Sequence, residues 1–400
     1  MPSAFVYDYV RTPFGKIGGA LAAERPDDLA ALVVRALVDR SASLDPGSVD
    51  EVIFGNANGA GEENRNVARM AVLLSGLPVT VPGSTVNRLC GSSLDAAMMA
   101  SRQIEVGEAD LVVVGGVESM SRAPWVLPKP ERTYPTGNAT LESTTLGWRL
   151  VNPRMADDWT VSLGEATERL ADRHGISRER QDAFAMRSQT LAVSSWAQGK
   201  FDPWTVRVPG VDLGRDESVR EGTTMEALAG LRTVFRPVAE GGTVTAGNAS
   251  PMSDGASAVL LGSESASDAL DRAPLARIAA RAAAANEPQF FGYAPVEAAN
   301  LAIRRAGIEW ADVGAVELNE AFAAQALACI EAWPIDPDIV NRWGGALAIG
   351  HPLGASGGRV LGTLAARLHA EGARYGVACL CIGVGQALAV VLERVDESAA

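Results

Sequence analysis

Two short apolar runs and the helical stretch between them limit what this chain can fold into more than any other feature. Glu51-Val52-Ile53-Phe54-Gly55 and Leu111-Val112-Val113-Val114-Gly115 are β-branched runs of strand length, each stopped by glycine. Between them, Ser92 to Val106 is rich in Ala and Met with helical patterning, and Ser92 or Ser93 stands where an N-cap belongs. Strand–helix–strand order specifies parallel pairing, because parallel strands need a crossover connection and a helix supplies it. The C-terminal end echoes the arrangement. Ala355 to Glu371 is a helical pattern, followed by the apolar strands Val377 to Ile382 and Leu388 to Leu392. Val86-Asn87-Arg88 also recurs as Val340-Asn341-Arg342, each ahead of a glycine-containing turn and a helix. The chain therefore reads as α/β with two similar βαβ halves, although a match of this length also arises by chance.

The middle is different. From about Arg122 to Gly247, prolines and polar residues accumulate and five of the eight tryptophans fall (Trp125, Trp148, Trp159, Trp196, Trp204), around one helical stretch near Arg178–Gln198. This is the composition of an inserted subdomain or an elaborate loop region. Within it, Asp216 to Arg236 is nearly balanced in charge and reads as a solvated charged helix or as a local site for an anion. At about 150 residues per domain, 400 residues correspond to two or three domains.

Charge and cysteine usage exclude several functions. Lys+Arg 35 against Asp+Glu 48 leaves −13, which argues against a general nucleic-acid or anionic-membrane binder. The longest apolar stretches, Leu111–Val117 and Val377–Leu392, are interrupted by Gly or Gln and too short to span a bilayer. Residues 1–8 lack a basic segment followed by an apolar one, so no leader is expected. Four cysteines (Cys90, Cys329, Cys379, Cys381) do not make a disulfide framework, and a reducing, cytoplasmic compartment is the expectation. Lys16, Lys129 and Lys200 are the only lysines, which leaves little room for Schiff-base chemistry.

Cys90 lies in Val86-Asn87-Arg88-Leu89-Cys90-Gly91-Ser92-Ser93, between a strand-like entry and a helix start. A thiol there meets unpaired N–H groups and the positive end of the helix dipole, which lower its pKa toward the nucleophilic thiolate. A buried, inert cysteine is the alternative. Of three histidines, His174 precedes Gly175 at a helix end and His369 lies in a helical pattern on the surface. His351 instead stands in the glycine-rich Gly344–Arg359 stretch beside Pro352, where a rigid turn presents an imidazole as a general base for a thiol. That stretch has neither the dinucleotide fingerprint nor the P-loop Gly-Lys-Ser/Thr. Cys379 and Cys381, two apart on a strand, face one side; without further ligands at finger-like spacing they argue against zinc. Cys379 and Cys329 read as core. Cys381, at the strand's C-terminal end before Gly383, is placed where ligands gather in parallel sheets. Asn319 reads as an N-cap, with Glu320 complementing the dipole, or alternatively as an amide anchoring a water or an oxyanion.

Taken together, these residues closely resemble the thiolase family. The blocks that carry the resemblance are Val86–Ala96, Gly115–Ser121, Gly242–Ser250, Asn319–Phe322, Gly350–Gly357 and Cys381–Gly385, in family order over nearly the whole chain. The resemblance implies a thiolase fold: two similar βαβ-rich halves in a five-layered α-β-α-β-α core with an inserted loop domain. It divides the chain into 1–121 plus 248–273, a CoA-binding loop domain 122–247, and 274–400. It implies reversible CoA-dependent thiolysis of a 3-oxoacyl-CoA, with Cys90 acylated, His351 taking its proton and Cys381 handling the proton on the α-carbon. Asn319 with a bound water and His351 would line one oxyanion hole; the N–H groups of Cys90 and Gly383 would form the other. Arg220, Leu231, Ser250, Phe322 and Leu163 would contact CoA, which is a substrate; no tightly bound cofactor and no metal are implied. Partners are acyl-CoA, CoA and further copies of the chain in a homodimer or homotetramer, with no nucleic acid or membrane. The sequence departs from the family at Ser162-Leu163-Gly164, where His-Met-Gly is common, at Ala294, and at Val384 and Ala387, where glycines are usual. Gly61–Arg69 and Thr144–Arg149 resemble the branch that includes 3-oxoadipyl-CoA thiolases, whereas Ser162–Ala171 resembles acetyl-CoA acetyltransferases, which leaves the acyl group open. A β-ketoacyl synthase would pair its cysteine with two His, or His and Asn, and have no counterpart of Cys381. A non-catalytic acyl-CoA carrier would have lost one of the reactive residues retained here.

Overall fold

The structure, a computed structural model, describes residues 2–396, so Met1 and the last four residues of the 274–400 span lie outside it. The N-terminal part runs β1 (Phe5–Arg11), α1 (Pro26–Asp39), β2 (Glu51–Gly55), α2 (Val67–Ser75), β3 (Gly83–Val86), α3 (Ser92–Val106) and β4 (Leu111–Ser119). The strand β5 (Ser253–Gly262) rejoins them after a long insertion whose main helices are α4 (Leu163–His174) and α5 (Arg178–Ala197). The C-terminal part runs β6 (Ala276–Ala285), α6 (Ala294–Ala306), β7 (Val313–Leu318), α7 (Ala323–Ala332), α8 (Leu353–Glu371), β8 (Tyr375–Ile382) and β9 (Gln386–Arg394).

The strands lie in the order β7-β8-β9-β6-β1-β5-β4-β2-β3. As the helical crossovers require, β2 is parallel to both β3 and β4, and β7 is parallel to β8; the remaining pairs are antiparallel. The two halves join in this ladder where β1 meets β6, at Phe5↔Arg277 and Val6↔Ala276. The short sequence echo is structural. Val86 pairs with Gly55 at the end of β2, and Val340 forms a parallel bridge to Val316 of β7, so both copies border the equivalent strand of their half.

Three apolar clusters explain the layers. Leu29 and Val33 of α1 and Ala68 and Val72 of α2 cover the outer face of the first sheet. Ala298 and Ala302 of α6 and Ala326 and Ile330 of α7 cover the outer face of the second. Between the sheets, Leu94 and Ala97 of α3 and Leu361 and Leu364 of α8 pack against Ile53 and Val112 on one side and Leu380 and Val390 on the other. Five layers result. Strands covered on both faces need continuous apolar sequence, which is why Leu111–Val117 shows no alternation. Each fully buried Leu or Val in such a layer contributes about 1.5–3 kcal/mol.

The middle layer brings two helix starts together. A Cβ on Gly357 of α8 would collide with the Leu94 backbone nitrogen, and one on Gly116 of β4 with the carbonyl of Gly354. Only glycine permits this approach, and it sets the first turn of α8 against the first turn of α3.

Candidate active site

Cys90 lies in a single 3-10 turn, Leu89–Gly91, that runs directly into α3. The turn is held by its own side chains. Asn87 Oδ1 accepts the Leu89 N–H at 3.0 Å, Ser92 Oγ accepts the Arg88 N–H at 2.9 Å, and Ser92 donates to the Leu89 carbonyl at 2.6 Å. The N-cap position of α3 is therefore Gly91; Ser92 ties the preceding turn, and the sequence expectation of Ser92 or Ser93 as cap is corrected. Cys90 is 8% exposed. Its own N–H and that of Gly383 stabilise the thiolate, yet burial outweighs both and pushes the thiol up to about 11. The expected lowering by the helix dipole is thus overturned: the free site holds a thiol.

His351 is carried on the bend ahead of α8. Gly350, at φ +111°, makes that bend, and the His351 N–H donates to Ser253 Oγ at 3.1 Å. Ser356, five residues on, lies 2.6 Å from His351 Nδ1 while its hydroxyl donates to the Pro352 carbonyl at 3.0 Å. With the Ser356 proton on the Pro352 carbonyl, the matching tautomer carries its hydrogen on Nδ1 and leaves the Nε2 lone pair free to act as a base. Burial, then the Arg359 charge, push the imidazole down to about 3, so it is neutral at ordinary pH.

Asn319 Nδ2 lies 3.4 Å from both ring nitrogens of His351. Its Oδ1 accepts from Arg359 Nη2 at 3.1 Å, which fixes the amide with its NH₂ toward the imidazole. Arg359 is fully buried and meets Glu317 at 3.3 Å; Glu317 also holds Arg367 at 2.7 Å. Asn319 is no helix cap, since the N-cap position of α7 is Phe322. Nor does Glu320 stand in the first turn of that helix, which begins at Ala323. It is fully buried and accepts from Ser188 Oγ at 2.6 Å, Asn341 Nδ2 at 2.8 Å and the Leu347 N–H at 3.2 Å.

Cys381 is 1% exposed at the end of β8 and packs with Ala166, Phe291 and Phe322, against partly buried Leu163. Burial raises its pKa, and the neighbouring Cys90 sulfur pushes the same way. Cys379 and Cys329 lie in the outer core, as read from the sequence.

Cys90 borders two cavities. The smaller, about 60 Å³, is lined by Cys90, His351, Leu163, Ser250, Phe291 and Phe322 among others. The larger, about 410 Å³, has Cys90, Gly383, Glu118 and the loop Thr144–Leu150 in its wall. Arg220 and Leu231 are exposed and border neither cavity; the Arg220 N–H donates to Gln189 Oε1. Their stretch is not a solvated charged helix: only Met225–Ala229 is helical, and Asp216 is buried against Arg11, Nη2 to Oδ2 2.8 Å.

Sequence reading passed over Glu118, Ser356 and Arg359. Glu118 accepts the N–H groups of Ala57 (2.9 Å), Asn58 (3.1 Å) and Gly354 (2.9 Å), and burial still lifts it to about 7. It stands in the run Gly115–Ser121 that marked the family, and Ser356 and Arg359 follow His351 on α8. Their proximity in sequence to marked residues was the available signal.

Residues 4–265 match the thiolase N-terminal domain and residues 272–394 the thiolase C-terminal domain. The chain is 47% identical to the 3-oxoadipyl-CoA/3-oxo-5,6-dehydrosuberyl-CoA thiolase of Escherichia coli K12, over 99% of this chain and 100% of that one. It is 46% identical to a beta-ketoadipyl-CoA thiolase of Acinetobacter baylyi with the same coverage. Human mitochondrial 3-ketoacyl-CoA thiolase in complex with CoA superposes with a TM-score of 0.92 at 36% identity, covering 99% of this chain and 98% of that one. The chain belongs to the thiolase family. It is an acyltransferase of CoA-dependent thiolytic cleavage, and the synthase and carrier readings find no support in these matches. No helix among the described residues is long and apolar enough to cross a membrane.

Proposed function

We propose that this thiolase cleaves 3-oxoadipyl-CoA with CoA to give succinyl-CoA and acetyl-CoA, by acyl transfer through Cys90. The juxtaposition that carries the chemistry is one buried thiol bordering two cavities, with a neutral imidazole at the smaller and Gly383 in the wall of the larger. The names of relatives 46–47% identical over the full chain support the acyl group.

His351 Nε2 takes the Cys90 proton as the sulfur attacks the 3-keto carbon. The C2–C3 bond then breaks: the succinyl group stays on Cys90 as a thioester, and the electron pair leaves on C2 as the enolate of acetyl-CoA. Cys381 donates a proton to C2 and releases acetyl-CoA. A CoA thiol then gives its proton to the Cys381 thiolate and attacks the acyl-Cys90 carbonyl; the adduct collapses with breakage of the C–Sγ bond, Cys90 takes its proton back from His351, and succinyl-CoA leaves. Negative charge develops on two different oxygens, so two sets of donors are needed. The N–H groups of Cys90 and Gly383 serve the one at the acylated carbon. His351 and a water on Asn319 serve the thioester oxygen of the enolate. A buried thiol high in pKa beside a neutral base suits a proton transfer coupled to attack rather than a standing thiolate.

Phe322 and Leu163 take the pantetheine arm, Ser250 and Leu231 line the CoA channel, and the exposed Arg220 meets the nucleotide end. CoA enters as substrate and no tightly bound cofactor takes part. The described parts of 1–121 with 248–273, and of 274–400, are the core halves, and 122–247 the loop domain. The assembly is a homodimer or homotetramer in the cytoplasm, a compartment consistent with four free cysteines. The test is thiolysis across acetoacetyl-CoA, medium- and long-chain 3-oxoacyl-CoAs and 3-oxoadipyl-CoA. The highest kcat/KM is expected on 3-oxoadipyl-CoA, and a preference for a long alkyl chain would refute this acyl assignment.

A further inference from the structure

Arginines half-buried in the insertion hold carboxylates. Arg122 meets Glu62, Arg169 meets Asp158, Arg178 meets Asp182, Arg187 meets Asp338 and Arg236 meets Glu165. Arg149 is half-buried in the same region and has no ion pair or side-chain hydrogen bond among the described residues. It lines the 410 Å³ cavity that Cys90 borders. Among the described residues, the only other charged one in that wall is Glu118, whose oxygens are taken up by three backbone N–H groups, with no ion pair to Arg149.

The loop that presents Arg149 is anchored on both sides. Thr144 Oγ1 donates to the Pro124 carbonyl at 2.6 Å and accepts from Asn58 Nδ2 at 2.8 Å, and Trp148 Nε1 donates to the Val161 carbonyl at 3.2 Å. Thr145, also in the cavity wall, accepts from Ser143 Oγ at 3.3 Å and so retains its own hydroxyl proton to donate. A guanidinium fork and a hydroxyl donor therefore face the space beyond the reactive thiol, with Leu146, Leu150 and Leu353 as apolar wall.

We propose that Arg149, seconded by Thr145, binds the terminal carboxylate of the acyl chain and restricts this cavity to 3-oxo-dicarboxylyl chains. The proposal rests on the thiolytic reading of Cys90 and supplies the residue that distinguishes a carboxylate end from a methyl end. A guanidinium matches a carboxylate bidentately, and such charge-assisted pairs are the stronger hydrogen bonds. An alkyl chain of equal length would cover the same cation with nothing to pair it, so selection works through rejection as well as attraction.

The experiment compares thiolysis of 3-oxoadipyl-CoA and 3-oxohexanoyl-CoA, chains of equal length with different ends, by wild type, Arg149→Met and Arg149→Lys. Wild type is expected to favour 3-oxoadipyl-CoA. Arg149→Met should lower kcat/KM on it about 100-fold, equivalent to about 2.7 kcal/mol, while lowering the 3-oxohexanoyl-CoA value no more than about threefold. Arg149→Lys should fall between. Equal loss on both substrates would assign Arg149 to CoA phosphates or to loop packing and overturn the proposal, as would no loss on either. A wild type without preference removes the 3-oxoadipyl reading together with this one. A wild type whose preference survives in Arg149→Met removes the Arg149 assignment alone.

Discussion

The middle helical layer and the insertion meet at Cys90 but are built on opposite plans. The layer is buried between two sheets, its helices drawn together through glycines, and it carries Cys90 and leads from His351. The insertion is largely loop; it reaches the cavities through Leu163 and Thr144–Leu150, with Leu146 and Leu150 exposed. Dense packing fixes where a sulfur and an imidazole stand to a fraction of an ångström, which bond making requires. Loops tied at a few points can change their wall without disturbing that geometry. Chemistry is thus assigned to the rigid region and selection to the adaptable one.

Substitutions should sort along that division. Cys90→Ser, in the layer, is expected to lower thiolysis by about 10⁴-fold or more and to abolish the acyl-enzyme seen by intact-mass measurement with acetyl-CoA. Labelling equal to wild type would break the assignment. Cys381→Ala should lower C–C cleavage about 10³-fold while still accepting the acetyl label on Cys90, which separates carbon protonation from acyl transfer. The alkylation rate of Cys90 by iodoacetamide reports the layer directly. The thiolate is the reactive form and its pKa is raised to about 11, so the rate should climb about tenfold per pH unit from 7 to 10. His351, pushed down to about 3, stays neutral throughout and adds no inflection near 6.5. A bend near 8.5 would mean an environment far more polar than the one described. At the other extreme, Leu163→Met in the insertion should change the KM for CoA less than about threefold with kcat preserved, because the swap conserves volume.

What the sequence disclosed follows the same divide. Glu51–Gly55 is a strand with those bounds, and the helix read near Arg178–Gln198 spans Arg178–Ala197, because local apolar pattern and glycine punctuation are enough to set them. Cys90, His351 and Cys381 could be singled out because each adjoins a turn rich in small residues. Helix starts were misread at Ser92 and Asn319. Both residue types suit a cap, but other partners claim their side chains instead: the Leu89 carbonyl of the preceding turn for Ser92, and Arg359, forty positions along, for Asn319. The buried pair of Arg11 with Asp216 spans 205 positions, and no local pattern encodes it. The Cys90 pKa was misjudged for a related reason. The dipole is visible in sequence order, whereas the desolvation that overrides it depends on everything the chain folds around the sulfur.

Val384 sits between Gly383 and Gly385 at the tip of the β8–β9 hairpin with φ +69°, where a branched side chain is at odds with its own backbone by about 1–2 kcal/mol. Eight paired positions along the two strands hold the tip in place against that tension. The tip is therefore held strained at Val384, like a sprung clip. Val384→Gly would unload the clip and give back the lost free energy, but would also loosen the wall that Gly383 and Val384 present to the cavity bordered by Cys90.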